Sequence, residues 1–226
     1  AQNRSSDFTL YVNNEEIPVQ KGALNTSFAV ICFEGTANIK IETSIKGLYR
    51  DGVRIRPGRK EITATVSEEG TIVSFQTDQP GKLSIEAEPS DFGPDRHLKQ
   101  DLFLFLSAPE KEIPDREDPC VLYFEPGYYE QDIDLESGQT LYLALGAVVK
   151  GSIDIWDADN VKICGYGTLI HDGPQAPDQD EGCDHKRDWH AITGHDSSHI
   201  LVEGVTFVVR SRDWCTQMFR CRDMMF

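Results

Sequence analysis

Arg210, Arg212, Asp213 and Trp214 fall close together in a stretch that otherwise reads as a strand. An indole that faces a groove can lie flat on the apolar face of a sugar ring, while neighbouring Asp and Arg groups hold its hydroxyls. Trp189 and His190 offer a similar combination one segment earlier. The competing reading buries Trp214 inside its structural repeat and turns the charges to solvent. We take Trp189, His190, Arg212, Asp213 and Trp214 as the candidate ligand-binding residues. Trp156, in IDIWDADN, lies near a corner and reads as packing.

Five of the six histidines lie between His171 and His199, among Asp172, Asp178, Asp180, Asp184, Asp188, Asp196 and Cys183. Imidazole, carboxylate and thiolate suit zinc or a similar ion, and Cys183, His185 and His190 are the trio that could supply ligands. Their spacing matches no zinc pattern, and the aspartates lack the DxDxDG run of a calcium loop. The segment therefore reads as a solvated acidic loop, and no metal is expected. No nucleotide-binding GxGxxG, P-loop or GxSxG element occurs, so no cofactor is expected either. The six cysteines form no CxxC pair. Cys32 and Cys164 sit in apolar strand patterns, and Cys215 and Cys221 are either a short disulfide or two thiols.

The elements that must position these groups come from a repeat. DNVKICGYGT (159–168) is echoed by SHILVEGVTF (198–207): Val161 matches Ile200, Ile163 matches Val202 and Gly165 matches Gly204, all at one constant offset. QTLYLALGAV (139–148) precedes the first copy, with Leu141 and Leu143 standing ahead of Val161 and Ile163 by close to half that offset. Each copy alternates apolar and polar residues and then reaches a small residue, which is a strand and a tight corner. A period of about twenty, once doubled by the 171–198 insertion, predicts stacked rungs sharing one core. The expected fold of 120–226 is a right-handed parallel β-helix. Asp223, Met224 and Phe226 match Asn160, Val161 and Ile163, so the last residues read as the start of another rung and the helix is expected to be truncated at Phe226.

Residues 1–107 read differently. Short β-rich stretches such as FTLYV (8–12), SFAVICF (27–33), EITATVS (61–67) and LFLFLS (102–107) recur with turn signals between them. That pattern predicts an antiparallel β-sandwich. APEKEIPDREDP (108–119), charged and rich in proline, reads as a linker. The whole is an all-β protein. A formal charge of −16 argues against nucleic acid or an anionic membrane surface as partner. No apolar run is long enough for a membrane-spanning helix.

YFEPGYYEQDIDLESGQTLYLALGAVVKGSI (123–153) resembles the first rungs of the β-helix in polygalacturonase- and dextranase-like glycoside hydrolases, families 28 and 49, within the pectin-lyase-like superfamily. ICGYGTL (163–169), HILVEGVTF (199–207) and SRDWCTQMFRCRDMMF (211–226) resemble the rungs that follow. A sandwich placed before the helix is similar to the family 49 arrangement. The resemblance implies a secreted or periplasmic enzyme that hydrolyses a polysaccharide with inversion, an α-linked glucan such as dextran before a pectin. It further implies paired aspartates in Asn-Thr-Asp and Asp-Asp motifs; neither motif occurs up to Phe226, so they are expected beyond it. The alternatives are a polygalacturonase-type hydrolase, a polyuronate lyase or epimerase, and a non-catalytic carbohydrate-binding or adhesion solenoid.

Overall fold

The computed structural model describes residues 3–88, 100–173, 190–210 and 214–226. Contacts divide the chain into two units, Ala1–Pro109 and Glu110–Phe226. Among the described residues there is no α-helix, so none is long and apolar enough to cross a membrane.

In the first unit the strands are β1 (Phe8–Val12), β2 (Glu15–Ile17), β3 (Gln20–Lys21), β4 (Ser27–Cys32), β5 (Ala37–Thr43), β6 (Val53–Arg56), β7 (Thr65–Val66), β8 (Ile72–Thr77), β9 (Gly81–Ala87) and β10 (Leu102–Ser107). They form two sheets, ordered β2-β1-β5-β8-β7 and β3-β4-β10-β9-β6. Strict alternation drives this. In β5, Ala37, Ile39 and Ile41 are buried while Asn38 and Lys40 are exposed. Leu10, Ile41 and Val73 of one sheet share a core with Ile31, Ile85 and Leu104 of the other. Each such burial stabilises by about 1.5–3 kcal/mol.

Two details differ from the sequence expectation. β10 runs parallel to β4, with Leu102 opposite Ser27, although every other pairing in the unit is antiparallel. Alternation carries no sign of direction, because inward and outward side chains alternate along the strand in either case. The 61–67 stretch is a strand only at Thr65–Val66. A 3-10 turn at Gly58–Lys60 ends on Glu61 in the left-handed conformation, with φ of 50°, and this interrupts the extended backbone.

The second unit coils. Its strands are β11 (Val121–Phe124), β12 (Gly127–Glu130), β13 (Ile133–Leu135), β14 (Thr140–Leu143), β15 (Ala147–Lys150), β16 (Ile153–Trp156), β17 (Asp159–Cys164), β18 (Thr168–His171), β19 (Ile192–His195), β20 (Ser198–Val202), β21 (Thr206–Val209), β22 (Thr216–Phe219) and β23 (Arg222–Met225). Every third strand pairs in parallel, giving a first sheet β11-β14-β17-β20-β23, a second β12-β15-β18-β21 and a third β13-β16-β19-β22. This is a parallel β-helix, right-handed as parallel β crossovers are. Like residues stack inside it: Leu122, Leu141, Ile163 and Val202 form one ladder, and Ile133, Ile153 and Ile192 another.

The match of Val161 to Ile200 and of Ile163 to Val202 is the observed register. The earlier step is longer in the first sheet than the repeat suggests. Leu141 pairs with Ile163 there, not with Val161. The second and third sheets keep the shorter step, setting Val149 against Leu169 and Ile133 against Ile153. Sliding a strand by one full alternation leaves the same side chains facing inward, so the hydrophobic pattern cannot distinguish the two registers. Corners between the third and first sheets use left-handed residues stacked rung on rung. Asp157, Asp196 and Arg220 form one such set, and Asn160, His199 and Asp223 the next. Cys215 and Cys221 are both free thiols: Cys215 packs against the helix core, and the Cys221 thiol points to the Phe219 carbonyl.

Candidate functional site

The third sheet carries the candidate site on its outward face. Its strands alternate: Ile153 and Ile155 belong to the core cluster, and Asp154 and Trp156 face away from it. Register then builds columns. Asp134, Asp154, Thr193 and Gln217 align across four rungs, and Trp156, His195 and Phe219 across three.

The second column is an aromatic ladder. Trp156 stacks on His195 with ring centroids 4.5 Å apart and planes 13° from parallel, and His195 lies 5.1 Å from Phe219. Arg220 sits over Phe219, 4.9 Å from the ring centroid, and forms a bidentate ion pair with Asp196. The hydrogen bond from Arg220 holds the Asp196 carboxyl below its usual range, and Asp196 in turn raises the guanidinium. His195 Nδ1 lies 2.7 Å from Asp196 Oδ2. One end of the face is therefore an apolar strip bordered by a fixed charge pair.

The other end holds two residues singled out from the sequence. His190 precedes β19 by two positions and Trp214 precedes β22 by two, so the pairing of these strands sets them side by side. Their rings stack at a centroid distance of 6.4 Å with planes 19° apart. His190 Nδ1 lies 2.9 Å from the Trp214 carbonyl oxygen. A carbonyl only accepts, so Nδ1 donates, and in the neutral ring Nε2 is left as an acceptor. His190 is buried, whereas Trp214 is 72% exposed. A large aromatic face held open to solvent by a buried neighbour is suited to stacking on a sugar.

Between these ends lies the polar column. Asp154 and Thr193 are almost fully buried, and Thr193 Oγ1 has no hydrogen-bond partner among the described residues. The strip from His190 to His195 is about 16 Å long at the usual strand rise. The exposed aromatics of this face are Trp214 at one end and Phe219 at the other, with the buried His190, Asp154 and Thr193 beneath the surface between them.

Trp189, Arg212 and Asp213 lie outside the described residues, as do Cys183 and His185. Arg210, beside them in sequence, follows β21 of the second sheet and contacts Asp172 at 3.4 Å. Among the described residues no group of three or more His, Cys, Asp or Glu is placed to hold a metal ion. His199 bonds Asp159 at 2.6 Å and lies 3.8 Å from Asp223, on the corner leading to the first sheet and off this face. The Trp156–His195–Phe219 ladder was not read from the sequence. Its signal was there: the spacings between these residues are the offsets of the third-sheet strands themselves.

No family model matches this chain, and no curated protein matches it. Among solved structures it is similar to Dex49A from Penicillium minioluteum, with a TM-score of 0.64 at 16% identity. The alignment covers 96% of this chain and 58% of Dex49A, so the chain spans well under two thirds of that protein's length. At this identity the likeness shows the fold alone: an all-β chain with a parallel β-helix.

Proposed function

We propose that this chain belongs to a polysaccharide-degrading glycoside hydrolase, and that the outward face of its third sheet is the substrate groove. The observation that carries this reading is the in-register pair His190 and Trp214, an exposed indole backed by a buried imidazole. The likeness of the fold to Dex49A supports it. Trp214 stacks on a sugar ring, His190 Nε2 accepts a hydroxyl, and the Trp156–His195–Phe219 strip carries the chain onward. Arg212, Asp213 and Trp189 complete the binding set.

Inverting hydrolysis needs a carboxylic acid to protonate the leaving oxygen. It also needs a carboxylate to activate water on the opposite face, about 6.5–9.5 Å away. The groove residues described above bind and orient; no acid–base pair is assigned to them. An α-linked glucan such as dextran is the preferred substrate. The −16 charge favours a neutral polymer over a polyuronate, through long-range repulsion. With a polymeric substrate, the reading extends to a protein that is secreted or periplasmic.

The test is reducing-end release by the natural full-length protein from dextran, pullulan and polygalacturonate. Release from dextran is expected. Cleavage of polygalacturonate alone would replace this substrate by pectin, and a product absorbing in the ultraviolet would mark a lyase. Failure to cleave any of the three would overturn the reading.

A further inference from the structure

We infer that the N-terminal sandwich carries a separate glycan-binding cleft, on the outer face of the β2-β1-β5-β8-β7 sheet, that takes an uncharged oligosaccharide. The cleft is an open depression of about 470 Å³, a volume within the roughly 300–1,000 Å³ usual for small-ligand sites. It belongs to the other unit and stands independently of the third-sheet groove.

Register builds the floor. Tyr11 pairs with Lys40, Lys40 with Ser74, and Ser74 with Thr65, so these four side chains form one row across β1, β5, β8 and β7. Asn38 and Gln76 pair in the next row on the same face. Alternation sends the side chains of their neighbours Ile39 and Phe75 into the core, and this leaves the floor to amides, hydroxyls, one phenol and the Lys40 ammonium.

Three observations point to a neutral sugar. First, none of the residues lining the cleft is acidic, in a chain that has 38 Asp and Glu. Second, the amides are already oriented. Asn38 Nδ2 donates to Asn13 Oδ1 at 2.8 Å, and Gln76 Nε2 donates to Asn38 Oδ1 at 2.6 Å. A relay of this kind fixes the amide planes before a ligand arrives, so less freedom is lost on binding. Third, the Lys40 cation is balanced. Its Nζ is 2.6 Å from Glu42 and 5.5 Å from the centre of the Tyr11 ring. An anionic sugar would find no uncompensated positive charge there. Vicinal hydroxyls instead find amide donors and acceptors beside an aromatic ring, the combination that binds uncharged saccharides.

The experiment is a titration of the isotope-labelled chain with isomaltotetraose, followed by amide NMR. The side-chain amide signals of Asn38 and Gln76 are expected to move and to saturate in the millimolar range. Gln76→Ala, an exposed change that leaves the core untouched, and Tyr11→Ala are each expected to weaken binding about tenfold, the effect of losing one good contact. Trp214→Ala is expected to leave these shifts unchanged, which separates this cleft from the β-helix groove. The inference is overturned if the two amide signals stay still, if they respond to oligogalacturonate but not to isomaltotetraose, or if neither sandwich variant weakens the response.

Discussion

Replacing Gly165 by alanine tests the rung-on-rung packing of the second unit. Gly165 has a φ of +105°, and a Cβ built there would lie 2.2 Å from the Leu143 carbonyl oxygen of the rung below. Gly138 supplies the control, with a φ of +78° and nothing within 4 Å of its Cβ position. Both substitutions carry the cost of a side chain in left-handed backbone, about 1–2 kcal/mol. Only Gly165→Ala also forces two rungs apart, an overpacking that adds about 1–3 kcal/mol. The totals are therefore about 1–2 kcal/mol for Gly138→Ala and about 2–5 kcal/mol for Gly165→Ala. With a urea slope of about 2 kcal/mol per molar, the midpoints fall by about 0.5–1 M and about 1–2.5 M. Trp156, Trp189 and Trp214 are the only tryptophans, and all lie in the second unit, so selectively excited tryptophan fluorescence follows that unit by itself. Equal midpoints for the two variants would show that Gly165 does not lie against the rung below and would refute the stacking argument.

Two further predictions follow from individual side chains. Hydrogen bonding to Asp159 holds the His199 imidazole above its usual 6.5, and the same bond holds the Asp159 carboxyl below its usual 3.8. The His199 contribution is complete below the unfolded value and is lost as pH rises through the raised folded value. The Asp159 contribution is complete above its unfolded value and is lost as pH falls through the lowered one. The pair is thus fully formed between about pH 4 and 6.5. Proton NMR should show a His199 midpoint above 6.5 that returns toward 6.5 in Asp159→Asn; a midpoint below 6.5 in the parent would contradict the contact. Thr193→Val removes a buried hydroxyl that has no partner among the described residues, so stability measured in urea should hold or rise by up to about 1 kcal/mol. A loss of more than about 1 kcal/mol would show that the hydroxyl is bonded after all.

Much of the fold was legible because burial writes itself at fixed periods. The match of Val161 to Ile200 is one side chain stacked on another, and it survived an insertion between them. Where the sequence misled, two arrangements shared one pattern. Val161 and Ile163 are both inward neighbours that Leu141 could meet, and only the observed pairing selects Ile163. The parallel alignment of β10 with β4 was hidden for the same reason. In the site, His190 and Trp214 were each visible as a residue type suited to sugars. Their adjacency was not, because it depends on the step between β19 and β22, a length set by the connecting chain rather than by any alternation. The aromatic ladder of Trp156, His195 and Phe219 mixes three residue types, so no motif marks it; it is visible only once the rungs are aligned.

The claim that the third-sheet face is the groove of a glycoside hydrolase rests most directly on Trp214. The decisive measurement is kcat/KM of the natural full-length protein on a short isomalto-oligosaccharide, compared with its Trp214→Ala variant. Loss of a stacked, desolvated indole contact should lower kcat/KM by about tenfold or more. Because Trp214 is 72% exposed, its removal should leave the urea midpoint nearly unchanged. An unchanged kcat/KM in that variant, or no hydrolysis by the parent protein, would contradict the account.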